Sequence, residues 1–178
     1  MSRIQEIPPE QQSAEQKKIL DDVLRGRGRV TIPFKIWLHS PPLATRIEAL
    51  GTYLVTQSSL KPREVELATL AVARHWRANY VFAAHVRLGR QAGLPDSVME
   101  AIGKDATPEL PDPRERAIYD IAKAFDRRVV ASDEVFDRAV KALGRNGLAE
   151  LLVLLGYYSA VGMAMKLHQV PPIDGSEP

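Results

Sequence analysis

Pro62-Arg-Glu-Val-Glu-Leu-Ala-Thr-Leu-Ala-Val-Ala-Arg-His-Trp76, followed by Ala78-Asn-Tyr-Val-Phe-Ala-Ala-His-Val-Arg-Leu-Gly-Arg-Gln-Ala-Gly-Leu94, is the stretch whose reading decides the fold. From Leu67 to Ala73 almost every residue is apolar. A helix that is apolar on all sides is buried on all sides, so this one is expected at the centre of the molecule. Pro62 stands near its first turn, and Glu64 and Glu66 fall where the positive end of a helix favours carboxylates. Residues 76–79 read as a junction. Residues 80–92 read as an amphipathic helix closed by Gly93.

Outward from this pair, Pro and Gly divide the chain into further segments whose apolar residues recur at helical spacing. Helices are expected over about 9–24, 41–57 and 95–102. Others should begin at Pro113 and after Ser132, and the last should cover about 148–168, entered through a turn bracketed by Gly144 and Gly147. No segment alternates with period two, so the predicted class is all-α, a helical bundle forming one domain over residues 1–178. In the last helix Gly156, Ala160 and Ala164 lie four apart on one face, which allows close approach by another helix, including one from a second subunit.

Composition narrows the chemistry. The hydrophobic fraction of 45% and charged fraction of 26% suit a globular core, and Lys+Arg 24 against Asp+Glu 22 leaves a net charge of +2, too little to make a nucleic-acid or membrane partner the default. The uncharged run 151–165 is shorter than the roughly 20 residues a bilayer requires and is expected to be a buried helix. Residues 1–10 lack the apolar region of a signal peptide, so a cytoplasmic location is expected. The count of zero Cys excludes thiol nucleophiles, thiolate metal sites and disulfides. His39, His75, His85 and His168 show no paired metal-ligand spacing, so no metal is expected. Gly26, Gly28 and Gly51 form no phosphate-binding fingerprint, so no nucleotide cofactor is expected either.

Two residues stand out as chemistry. His85 shares a helical face with Val81, Phe82, Leu88, Gly89 and Ala92 and should point inward, either as a neutral core imidazole or as a general acid/base. Glu66 in an apolar helix either stabilises the helix dipole or finds a partner. If it meets His85, the carboxylate fixes the imidazole tautomer and raises its basicity. Arg25, Arg27 and Arg29 form a Gly-spaced cationic loop, either solvated or a lid over an anion. Trp37, His39 and Trp76 are candidates for an apolar pocket wall, with core or interface packing as the alternative.

The quoted stretch, with residues 37–43 upstream and 112–117 and the glycine-containing last helix downstream, resembles the carboxymuconolactone decarboxylase family, which includes the AhpD-type alkylhydroperoxidases. The resemblance spans about 37–168 and implies an AhpD-like helical bundle that assembles as a dimer, trimer or hexamer. In the peroxidases of that family a glutamate is followed by two cysteines and a histidine. Here these positions are Glu66, Ala78, Val81 and His85, so a thiol peroxidase mechanism is excluded. The Cys-free relatives carry Gln-Tyr-Glu-Trp before the histidine, where this chain has Asn79, Tyr80, Val81 and Phe82.

What the resemblance implies is cofactor-independent acid/base decarboxylation, or related lyase or isomerase chemistry, on a small anionic substrate such as a carboxylated lactone or keto acid. His85 would donate the proton, Glu66 would orient it and Tyr80 would hydrogen-bond a developing enolate. Arg27, Arg29 and Arg87 would hold carboxylates, with Trp37, His39, Trp76, Asn79 and Phe82 completing the substrate site, although Arg87 is off the His85 face in helical phase. The alternative is a non-catalytic binding or structural oligomer of the same fold.

Overall fold

A computed structural model describes residues 2–28, 30–126 and 130–171, and of Arg27 and Asp126 the backbone alone. In chain order the helices are α1 (Ala14–Arg27), α2 (Ile32–Trp37), α3 (Pro41–Thr56), α4 (Pro62–His75), α5 (Asn79–Gln91), α6 (Asp96–Gly103), α7 (Pro113–Asp126) and α8 (Asp133–Leu167). No strand occurs among the described residues, so the fold is all-α.

The apolar run over 67–73 places α4 where it was expected. Leu67, Ala68 and Leu70 have no solvent exposure, and α5, α6, α7 and α8 all pack around the helix. Its acids do not face water. Glu64, 1% exposed, takes a bidentate pair from Arg114 of α7 (2.7 and 3.0 Å) and accepts the Lys61 amide at 2.9 Å. Arg63 pairs in the same forked way with the buried Glu115 and donates to the Gly93 carbonyl. Planar guanidinium forks match carboxylates in direction as well as charge, so these two pairs register α4 against α7.

α8 is one helix interrupted once, at Gly144 (φ 71°, ψ 171°), a conformation that suits glycine. The interruption frees carbonyls of the preceding turn, and Arg114 donates to the one at Ala142 (2.8 Å). The expected turn is therefore narrower than the bracket of two glycines: Gly147 is helical and buried, and a Cβ added there would crowd Leu143 and Ser59. α8 is also the one described helix long and apolar enough to cross a membrane, but 61% of its most apolar window is buried inside the fold.

The N-terminal elements form a second, smaller cluster of Ile19, Val23, Phe34, Leu38 and Ala44, separate from the main core. α1 starts later than its periodicity suggested because Ser13 and Gln16 close a reciprocal capping box (3.2 and 2.9 Å), leaving Pro9 in a short 3-10 turn. It also runs through Gly26 and ends at Gly28 (φ 68°), so the expected break falls at the end of the glycine-spaced loop and not throughout it. α2, packed on α3 and α8, was not anticipated as a helix.

Candidate active site

A cavity of about 340 Å³ opens where the two hydrophobic clusters meet. On its wall, His85 from the second turn of α5 faces Glu66 from α4, with Nδ1 and Oε2 2.7 Å apart. Both side chains are largely enclosed, at 12% and 11% exposure, which weakens competition from water for this contact. An ionised carboxylate only accepts hydrogen bonds, so the contact keeps a proton on Nδ1 and leaves Nε2 for a ligand. Tyr158 of α8 meets the His85 ring edge-on, with centroids 5.0 Å apart and planes at 85°, and Tyr157 stacks likewise on Tyr158.

Tyr80, Val81, Ala84, Arg87 and Leu88 of α5 line the same cavity. The helical phase of Arg87 had placed it off the His85 face. Arg87 is exposed and lines the cavity all the same, in no ion pair with a described residue. Gly26, Val30, Thr31, Pro33 and Phe34 form the wall facing the chain's N-terminal part. Arg29 lies outside the described residues, as does the side chain of Arg27, so their expected part in substrate binding rests on the sequence alone.

Five expected pocket residues lie elsewhere. Trp37 is wedged between the two hydrophobic clusters. His39 is exposed, with Nε2 2.7 Å from the Gln5 carbonyl oxygen. Trp76 packs on Gly162, where an added Cβ would come within 2.9 Å of it, and its ring meets His75 edge-on. Asn79 opens α5 at its first position, and Phe82 turns to Gly103 of α6. Trp37, Trp76 and Phe82 suited a pocket by residue type, but the helix phase or the crossing of a neighbour directed each side chain into a packing seam. The residues that reading missed are Tyr157 and Tyr158. Two adjacent phenols in an otherwise aliphatic helix were the available signal.

A further buried carboxylate, Glu150, stands outside the cavity. It accepts from Tyr53 Oη (2.7 Å), the Ser59 amide (2.8 Å) and Ser59 Oγ (2.5 Å). Burial pushes its pKa up, but the hydrogen bonds from Ser59, Tyr53 and Asn146 together hold it below the ordinary carboxylate value. The same bond raises the Tyr53 phenol. Every oxygen of Glu150 is thereby engaged in fastening the end of α3 to α8. Among the described residues no three His, Asp or Glu side chains converge as metal ligands.

The sequence profile of the carboxymuconolactone decarboxylase family matches residues 41–124, a span that holds Glu66, Tyr80, His85 and Arg87 but not the wall from Gly26 to Phe34. No curated protein matches the sequence significantly. Among solved structures, the chain is similar to an uncharacterized peroxidase-related protein from Silicibacter sp. TM1040, with TM-score 0.76 and 16% identity over 96% of this chain and 92% of that one. It is similar to ATU0492 from Agrobacterium tumefaciens, a protein of unknown function described as a candidate antioxidant defence protein AhpD, with TM-score 0.68 and 16% identity over 77% and 94%. A third likeness is to the debrominase Bmp8 in complex with 2,3,4-tribromopyrrole, with TM-score 0.70 and 11% identity over 88% and 84%. At these identities the likeness is one of fold, and the fold carries varied chemistry.

Proposed function

We propose that the chain is a member of the carboxymuconolactone decarboxylase family, whose profile matches residues 41–124, and that it is an acid/base carboxy-lyase for a small carboxylated lactone or keto acid. The observation that carries this reading is the His85 Nδ1 to Glu66 Oε2 contact of 2.7 Å on the wall of an otherwise largely apolar cavity. Arg87, the tyrosines Tyr80, Tyr157 and Tyr158, and the threonines Thr31, Thr52 and Thr56 are the remaining polar residues of the lining.

In the proposed step the bond between the carboxylate carbon and its neighbour breaks and carbon dioxide leaves. The bonding pair moves onto the carbonyl oxygen of the substrate as an enolate, so the substrate is its own electron sink. Tyr80 donates a hydrogen bond to that oxygen, and protonated His85 delivers the proton from Nε2 to carbon. Glu66 balances the imidazolium before transfer and holds the ring in position afterwards. The imidazole then regains a proton from water. Arg87 receives a carboxylate, since a guanidinium binds carboxylate oxygens through two parallel hydrogen bonds. Ala78 and Val81 leave no thiol for peroxide reduction.

The test is carbon dioxide release from lactones and keto acids that carry a single carboxylate, with peroxide reduction as a control. Release by the wild type, falling about 100- to 10,000-fold in His85→Ala, is the expected result. Turnover unchanged in His85→Ala overturns the reading. Absence of turnover across such substrates, with carboxylates still bound, moves the site to a binding protein of the same fold.

A further inference from the structure

The walls of the cavity differ in chemistry. The groups able to bind or protonate an anion, Tyr80, His85 and Arg87, come from α5, with Glu66 of α4 paired to His85 and Tyr157 and Tyr158 contributed by α8. The opposing contribution of the N-terminal segment consists of Val30, Pro33 and Phe34, with Thr31 and the backbone at Gly26. Between them α3 lends Val55, Thr52 and Thr56. The two threonine hydroxyls already donate, to Glu48 Oε1 (2.6 Å) and to the Thr52 carbonyl oxygen (2.7 Å), so neither offers its proton to a ligand.

Phe34 is 1% exposed and anchors the separate N-terminal cluster. Of the apolar wall, Phe34 is a buried member of that cluster and Val30 packs against it. The wall lies outside the matched span 41–124, whereas His85, Glu66, Tyr80 and Arg87 lie inside it.

We propose that the segment from Val30 to Phe34 is the specificity wall of the cavity, selecting a small carboxylic acid whose non-ionised end is an apolar aryl or branched alkyl group. Arg87 takes the carboxylate, and the hydrocarbon end fills the space against Val30, Pro33 and Phe34. A ligand carrying a second charge or several hydroxyls loses hydration against this wall, where the Thr31 hydroxyl is the one side-chain donor among the described residues of the segment, and is rejected. The inference rests on the cavity of the proposed function being the substrate site, but it does not depend on which reaction follows binding.

The experiment is calorimetric titration of the full chain with benzoate, acetate and succinate. Wild-type protein is expected to bind benzoate at least about tenfold more tightly than acetate or succinate, because the phenyl group leaves water for the apolar wall. Val30→Thr keeps the side-chain volume and adds a hydroxyl without a partner. It is expected to weaken benzoate about tenfold and leave acetate unchanged. Val30→Phe, which narrows the space, should exclude benzoate while acetate still binds. Val30 is half-buried at the cavity edge and outside the buried cluster, so circular dichroism should report both variants folded.

Equal affinities for benzoate and acetate, or a benzoate-to-acetate ratio that neither Val30 variant changes, overturn the proposal. Repeating the titration with His85→Ala separates it from the catalytic reading. A preserved benzoate preference alongside unchanged turnover in that variant would sink the acid/base role alone. A lost preference alongside His85-dependent carbon dioxide release would sink the specificity wall alone.

Discussion

The N-terminal cap, α1 to α3, and the helices that follow it border one cavity but are held together differently. The cap is ordered by five buried apolar residues, Ile19, Val23, Phe34, Leu38 and Ala44, and its surface ion pairs, such as Lys18–Asp22, are solvent-exposed and contribute little. Beyond it, α5, α6, α7 and α8 surround α4, and forked pairs with buried carboxylates, Arg114–Glu64 and Arg63–Glu115, register α7 on it. A region ordered by a few apolar contacts opens locally at lower free energy than one cross-linked through its core. Chemistry placed on the rigid side keeps its geometry, and selectivity placed on the thin side varies at less structural cost.

The sharpest way to break this contrast is through the pairs. Arg114→Met should leave Glu64 charged and unpaired in the core and destabilise the protein by about 3–5 kcal/mol, read as a lowered denaturant midpoint. A loss below about 1 kcal/mol would mean that the pairs do not hold the α4 side together. Phe34→Ala should cost about 3–5 kcal/mol of apolar packing, felt first in the cap. Hydrogen exchange of α1 and α2 amides should quicken while α4 amides remain protected. Equal loss of protection in both regions would merge them into one cooperative unit.

A pair of glycines in α8 sharpens the comparison at smaller scale. Gly162→Ala drives a Cβ to 2.9 Å from Trp76 and should cost about 1–3 kcal/mol. Gly156→Ala meets nothing within 4 Å and should be neutral or stabilising by up to about 1 kcal/mol. If Gly156→Ala instead lowers stability in a concentration-dependent way, a second copy of the chain packs on that exposed face.

The smallest expected effect concerns Glu150, whose folded pKa lies below its unfolded value near 4.5. Its contribution to stability is therefore complete above that unfolded value and is lost as pH falls through the folded one. Glu150→Gln should flatten the acid limb of the stability profile below about pH 4.5 and lower stability on the plateau above it. An unchanged acid limb would show that the Tyr53 and Ser59 contacts do not persist in solution.

Much of the fold was legible because periodicity is a local property. The all-apolar run over 67–73 required a central α4, Gly93 closed its neighbour, and Ser132 capped α8 through the Val135 amide. Where helix ends depended on competition between signals, the chain alone was less informative. The capping box at Ser13 displaced the start of α1, and of Gly144 and Gly147 only the first broke α8. The site divides in the same way. His85 and Glu66 stood out as a histidine and an acid on otherwise apolar segments, whereas Trp37, Trp76 and Phe82 had the right chemistry and entered packing seams.

The sequence by itself determined that the molecule is helical, that α4 is buried, and that no thiol of this chain takes part in its chemistry, because these follow from composition and from spacing along one helix. Only the tertiary structure decided that Glu64 goes to Arg114 while Glu66, two residues on, goes to His85. Only it decided that Tyr158 braces the imidazole and that Val30, Pro33 and Phe34 face the same cavity. Residues two apart on a helix point roughly 160° apart, so each acid meets a different neighbour. Which neighbour that is depends on how helices distant in sequence cross, and no local pattern encodes the crossing.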